Sequence, residues 1–111
     1  MTLSDFVYSR IGECVGRENA IKRRELLDYL WHMGAIEKVT ESEDREVRLI
    51  IDENPLICST TDGYFIARTQ EDYNRAVASI VTRIRSFNDK IKRKEGAYPQ
   101  FARPGQMELF R

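Results

Sequence analysis

A single dipeptide restricts the fold of this chain more than any other feature of its sequence. Asp62-Gly63 lies between two short runs of β-prone residues, Leu56-Ile57-Cys58 and Tyr64-Phe65-Ile66-Ala67. Glycine after aspartate supplies the positive φ angle that a tight hairpin turn requires. The sequence therefore predicts one small β-hairpin, in a chain whose other apolar residues recur mainly at helical spacing.

The segment before the hairpin begins with a helix. Apolar residues at helical spacing predict this first helix over residues 3–15, with Thr2 or Ser4 as its N-cap and Gly16 as its end. The dipeptide Ala20-Ile21 follows and is predicted to be a short extended segment.

Two further helices are predicted before the hairpin. The second covers residues 23–33, where apolar residues share one face, and Gly34 closes it. The third begins near Glu41, because Thr40 and Glu43 match a capping box, and it ends at Asn54-Pro55.

The longest helix follows the hairpin. Residues 69–72 predict its N-cap, and the helix runs to about residue 94. Its apolar residues follow a heptad spacing of four and three: Tyr73, Val77, Ile80, Ile84, Phe87 and Ile91. We expect the first three to pack on the core. The last three, Ile84, Phe87 and Ile91, then lie beyond a core of this size and form either a homodimer seam or a surface covered by the C-terminal tail.

The order helix, extended segment, two helices, hairpin and long helix is that of a winged helix. The stretches NAIKRRELLDYL, DREVRLIIDE and PLICSTTDGYFIARTQEDY resemble small winged helix-turn-helix proteins of bacteriophages and prophages, over roughly residues 16–95. The resemblance implies that the DREV helix enters the major groove and that the hairpin is the wing. We expect a mainly α fold with a small β-hairpin: a winged helix-turn-helix core over 1–69, a long helix over 70–95 and a flexible tail over 96–111.

The charged residues give conflicting indications of whether the chain binds nucleic acid. The chain carries 18 basic and 18 acidic residues, so only local clusters can attract a polyanion. The third helix has six acidic residues against Arg45 and Arg48, which disfavours its insertion into a groove. Base-specific contacts would therefore come only from Arg45 and Arg48, with Thr60 and Thr61 of the wing.

Two basic clusters lie elsewhere in the sequence. The first precedes and opens the second helix and contains Arg17, Lys22, Arg23 and Arg24. The second lies near the end of the long helix and contains Arg83, Arg85, Lys90, Lys92, Arg93 and Lys94. Both can contact DNA phosphates without sequence preference. The alternative is that they are solvated helix faces, since basic residues also stabilise helix C-termini.

The tail carries a short motif. Gln106, Met107, Glu108, Leu109 and Phe110 resemble the peptide with which bacterial polymerases and repair proteins bind the replication sliding clamp, the beta subunit of DNA polymerase III. The resemblance implies that Gln106 hydrogen-bonds in a polar subsite while Leu109 and Phe110 fill an apolar pocket, with Met107 beside them. Methionine stands at 107 where leucine is commoner, and Arg111 extends past the motif. The alternative is that Leu109 and Phe110 cover an apolar patch of the chain itself.

The sequence offers little support for catalysis or cofactor binding. It contains no glycine-rich phosphate loop, no nucleophile elbow and no grouping of ligands at metal spacing, so we expect a protein that is not an enzyme and holds no metal or cofactor. Cys14 and Cys58 are expected to be reduced core residues, and His32 to be packed or exposed. The absence of a signal peptide or membrane span predicts a soluble protein in the cytoplasm of a bacterial host cell.

These observations lead to three hypotheses. The first is a non-enzymatic phage or prophage winged-helix adaptor that acts at double-stranded DNA and is tethered to the sliding clamp by its tail. The second is a dimeric winged-helix transcriptional regulator that reads DNA through Arg45, Arg48 and the wing. The third is a phage-encoded inhibitor of a host factor that uses its acidic third helix to bind protein.

Overall fold

The computed structural model describes residues 1–101. Within them the chain is mainly helical, with a small antiparallel sheet and a long last helix. The elements are α1 (Leu3–Gly12), a 3₁₀ turn (Arg17–Asn19), α2 (Arg23–His32), α3 (Glu41–Glu53), β1 (Ile57–Thr60), β2 (Gly63–Ile66) and α4 (Gln70–Ala97). The first compact unit is Met1–Ala76 and the second begins at Val77.

The first helix begins as predicted and ends early. Thr2 and Asp5 form a reciprocal capping box, with the Asp5 amide 3.2 Å from Thr2 Oγ1 and the Thr2 amide 2.9 Å from Asp5 Oδ2. The helix ends at Gly12, whereas the sequence predicted residue 15 and Gly16. The reason is tertiary: the Cys14 carbonyl accepts from the Ile66 amide at 2.8 Å, which removes this stretch of backbone from the helix.

The predicted hairpin is confirmed, and β2 has neighbours on both sides. On one side β1 pairs with it antiparallel, with Thr60 opposite Gly63, so that the turn consists of Thr61 and Asp62. On the other side Ile21 exchanges two 2.9 Å backbone hydrogen bonds with Tyr64. The extended segment predicted at Ile21 is therefore confirmed, and it fixes the hairpin next to the start of α2.

The core lies between the first three helices and β2. Each helix buries one apolar face because its apolar residues recur every three or four positions, and β2 adds the side chain of Phe65. The fully buried large side chains are Val7, Ile11, Leu26, Leu30, Val47 and Phe65. Burying each contributes roughly 1.5–3 kcal/mol relative to leaving it exposed.

The third helix has the predicted bounds but not the predicted cap. It covers Glu41–Glu53, yet the Thr40 side chain makes no capping hydrogen bond. Glu43 Oε2 likewise has no hydrogen-bond partner within residues 1–101. The prediction of a capping box at Thr40 and Glu43 is therefore wrong. The acidic residue of this turn that does have partners is Asp44, which lies in ion-pair range of two arginines.

The start of α4 is capped as predicted. Thr69 Oγ1 accepts from the Asp72 amide at 3.1 Å, and Asp72 Oδ2 accepts from the Arg68 amide at 3.1 Å and the Thr69 amide at 3.4 Å. These backbone donors hold the pKa of the buried Asp72 carboxyl below its ordinary value. Asp72 therefore favours the folded state in its ionised form.

We expect Asp72→Asn to lower stability at neutral pH and to reduce its dependence on pH. Because the pKa of Asp72 is depressed in the folded state, its contribution is present above the unfolded pKa and is lost as the pH falls through the folded pKa. Urea denaturation at about pH 7 and about pH 3 measures this, since the gap between variant and wild type should narrow in acid. A gap that stays constant across these two pH values would contradict the assignment.

The apolar residues of α4 are placed differently from the prediction. Tyr73 is 56% exposed, and Val77 and Ile80 are exposed as well. The residues that α4 buries are Asp72 and Ala76, one helical turn apart. The prediction that Tyr73 packs on the core is therefore wrong. Val77 and Ile80 lie in the second unit, on an exposed face of α4.

Candidate functional site

Five of the residues predicted to contact DNA line an open groove in the first unit. The groove has a volume of about 880 Å³ and lies between the start of α2, the start of α3 and the hairpin. The predicted residues that line it are Lys22, Arg23, Arg24, Thr60 and Thr61. Arg45 and Arg48 are exposed on α3 but do not line it. The fold thus brings the first basic cluster and the predicted wing together.

Contacts from the α2 side hold the hairpin tip in this position. Lys22 Nζ donates to the Thr61 carbonyl at 2.7 Å, and Arg17 Nε lies 3.7 Å from Asp62 Oδ2. The Ile21 backbone pairs with Tyr64 just beyond. Lys22 is therefore partly engaged in positioning the hairpin, which leaves fewer of its donors for a ligand.

The Asp44 carboxylate forms ion pairs with the two arginines nearest to it. Arg23 Nε lies 3.4 Å from Asp44 Oδ1, and Arg48 Nε lies 3.5 Å from Asp44 Oδ2. The Asp44 side chain is only 19% exposed, so it is better shielded from solvent than either arginine. Two cations that were predicted to contact DNA are thus paired with one anion.

The groove as a whole is close to neutral. Lys22, Arg23 and Arg24 line it, and so do Asp28, Glu41 and Asp44. Tyr64 lies at the same surface and is half-buried, and burial raises the pKa of its hydroxyl. That hydroxyl is therefore neutral at physiological pH and available as a hydrogen-bond donor. A surface with balanced charges is a poor attractor for a polyanion.

The second basic cluster has no such counterions. The side chains of Arg83, Arg85, Lys90, Lys92, Arg93 and Lys94 are all exposed on α4. All ion pairs within residues 1–101 lie between Arg10 and Arg75, so none involves these six. The sequence identified this cluster, but it could not show that its charges are uncompensated while those of the groove are paired.

The predicted dimer residues lie on one exposed face of α4. Ile84 is 45% exposed, Phe87 is 55% exposed and Ile91 is half-buried. The predicted clamp-binding residues, Gln106, Met107, Leu109 and Phe110, lie outside the described residues.

Within residues 1–101, no group of three or more histidine, cysteine or acidic side chains is arranged to hold a metal ion. Cys14 is buried, Cys58 is half-buried, and both are free thiols. None of the described helices combines the length and the apolar character needed to cross a membrane.

Comparison with known proteins gave no match to any family model, curated protein or solved structure.

Proposed function

We propose that this chain is a non-enzymatic winged-helix adaptor of phage or prophage type, which contacts DNA and is tethered to the bacterial sliding clamp. The observation that carries the proposal is the motif Gln106-Met107-Glu108-Leu109-Phe110.

The winged-helix assignment is supported by the arrangement around the hairpin. The segment at Ile21 pairs with β2, as the first strand of such a fold would, and α2 and α3 follow it directly. Because a fold does not determine a function, the assignment supplies the scaffold of the adaptor and leaves its role to the surface residues.

Clamp binding would depend on apolar anchors. Leu109 and Phe110 would enter a hydrophobic pocket while Gln106 hydrogen-bonds at its rim, and Met107 would pack beside them. A few large apolar side chains in one pocket commonly supply most of the affinity of such an interface. The motif is short, so few residues must be ordered when it binds.

We expect Phe110→Ala to weaken binding of the full chain to purified sliding clamp by about 100-fold, because it removes the largest anchor. Titration calorimetry measures the affinity. Arg111→Ala is the matched control, since it changes the neighbouring residue outside the motif and should alter the affinity less than about threefold. Equal effects of both variants, or no binding by the wild type, would refute the tether.

The DNA contact is assigned to the second basic cluster. Its six cations are exposed and lack acidic partners within residues 1–101, whereas Arg23 and Arg48 are paired with Asp44. Free cations release counterions from the DNA backbone and give affinity without sequence preference. Such contacts are weak alone, and tethering to a clamp on DNA would raise their effective concentration.

Two double variants with the same loss of charge test this assignment. We expect Arg85→Ala with Lys92→Ala to weaken binding to random duplex DNA and to reduce the salt slope by about 2. Arg24→Ala with Arg45→Ala removes two charges from the first unit and should have little effect. Fluorescence anisotropy at several salt concentrations measures both. The reverse pattern, with a sequence preference that persists in salt, would favour the transcriptional regulator.

A second candidate function is supported by the surface of α3. Leu49 is 59% exposed on this helix, and Glu46, Asp52 and Glu53 are exposed near it. An apolar side chain among acidic ones suits a basic protein partner better than DNA. This surface is the one that the inhibitor hypothesis would use, and failure of both the clamp and DNA experiments would favour it.

A further inference from the structure

The second unit presents an apolar stripe along α4. Val77, Ile80, Val81, Ile84 and Phe87 are between 37% and 55% exposed, although each is a large apolar side chain. Most helices in proteins owe their stability to the packing of an apolar face rather than to intrinsic propensity. A continuous apolar stripe of this kind marks an interaction surface.

The spacing of the stripe defines a heptad register. Val77, Ile84 and Ile91 occupy the a positions, and Ile80 and Phe87 occupy the d positions between them. Lys94 occupies the next d position, so the apolar seam ends at Ile91. All three a residues are β-branched, as is favoured at the a positions of parallel coiled coils, and the apolar d positions hold Ile80 and Phe87. The register therefore indicates a coiled-coil seam.

We propose that residues 77–95 of two copies of this chain form a parallel, in-register coiled coil. The occupant of the stripe is thus a second copy of the chain, and the charges at the edges of the stripe carry this choice. Arg83 and Lys90 occupy the g positions, and Asn88 and Glu95 occupy the e positions. Residues at e and g determine which partner is chosen and in which orientation.

A parallel arrangement gives complementary pairs. Each g residue then faces the e residue five positions further along the other helix, which places Lys90 against Glu95 and Arg83 against Asn88. Lys90 lies at the edge of the stripe, because its Nζ is 5.5 Å from the centroid of the Phe87 ring. An antiparallel arrangement would instead place Arg83 against Lys90, and like charges repel. The charges therefore select the parallel arrangement.

The side chain of Asn88 gives an independent indication. Its Oδ1 atom has no hydrogen-bond partner within residues 1–101. In the proposed register the guanidinium of Arg83 from the second copy faces this oxygen and can donate to it. Arg83 itself is exposed and forms no ion pair in the described part of the chain. The coiled coil would thus satisfy both groups.

The assembly is compatible with the proposed DNA contact and does not depend on it. Arg85, Lys92 and Arg93 occupy b and c positions, which lie on the outer surface of a two-stranded coiled coil. Dimerisation would therefore place two sets of these cations on the outer surface of one coiled coil and leave them free to contact phosphates.

Sedimentation equilibrium of the full chain from about 1 to 500 µM tests the assembly. We expect a reversible monomer–dimer equilibrium that Phe87→Glu weakens by more than about 100-fold, because a charge would enter the apolar seam between Ile84 and Ile91. Ser86→Glu is the control, since it adds the same charge at a c position on the outer surface and should leave the equilibrium within about threefold. A wild type that is monomeric throughout, or a dimer that survives Phe87→Glu, would overturn the proposal.

A charge exchange tests the orientation. In the parallel register Lys90→Glu places a carboxylate against Glu95 of the second copy. This repulsion occurs twice in each dimer, and we expect dimerisation to weaken about tenfold. Lys90→Glu combined with Glu95→Lys should restore it. An antiparallel dimer would instead be strengthened by Lys90→Glu, because the repulsion with Arg83 becomes an attraction. Strengthening, or no effect of the single variant, would therefore refute the parallel coiled coil.

Discussion

Gly63→Ala is expected to destabilise the first unit by about 3–4 kcal/mol. Gly63 has a φ of +122°, which residues with a Cβ rarely adopt. A Cβ at this position would lie 2.3 Å from the Ile21 carbonyl oxygen and 2.7 Å from the carbonyl carbon. The backbone of Ile21 would have to move, and its two hydrogen bonds with Tyr64 would be lost or distorted. Urea denaturation measures the loss of unfolding free energy.

Gly34→Ala is the matched control for this variant. Gly34 also has a positive φ, at +72°, but a Cβ there would meet no atom within 4 Å. Only the backbone conformation is penalised, so we expect a loss of about 1 kcal/mol. A comparable loss at both glycines would show that the close approach of Ile21 to β2 does not contribute to stability.

Leu26→Ala is expected to cost about 3 kcal/mol of unfolding free energy. Leu26 is fully buried on α2, in the core cluster that also contains Val7 and Phe65. Truncation would remove three carbon atoms from contact and leave a cavity that the surrounding helices can only partly fill. Because a domain of this size has only about 5–15 kcal/mol of stability, a substantial fraction would be lost.

The same substitution on α3 provides the comparison. Leu49 is 59% exposed, so Leu49→Ala should change the unfolding free energy by less than about 0.5 kcal/mol. Both variants are compared by urea denaturation under identical conditions. If the two substitutions cost the same, the burial of Leu26 described above would be wrong.

Local patterns in the sequence were sufficient to predict most of the elements. The hairpin followed from Asp62-Gly63, α2 and α3 followed from apolar spacing, and the cap at Thr69 followed from its capping motif. The errors have tertiary causes. The end of α1 is determined by the distant Ile66, whose amide donates to the Cys14 carbonyl and whose carbonyl accepts from the Gly16 amide, and such partners cannot be read from a local pattern.

The residue composition of the candidate surfaces could be predicted from the sequence, but the pairing of their charges could not. The sequence identified the cations of the groove, and it could not show that Asp44 lies between Arg23 and Arg48. It also assigned Tyr73 to the core, because a heptad pattern does not reveal which neighbour a stripe will find. Only the folded structure distinguishes paired cations from unpaired ones, and that distinction is the reason for which we propose the second basic cluster as the DNA contact.

The two-sided pairing of β2 has a consequence for the speed of folding. Its partner β1 is adjacent in sequence, so the hairpin can close within microseconds. Its other partner, Ile21, is separated from Tyr64 by roughly forty residues, and that loop must lose its conformational entropy before the bridge stabilises it. The docking of the chain's early segment onto β2 is therefore expected to limit the rate, with helices and hairpin forming first.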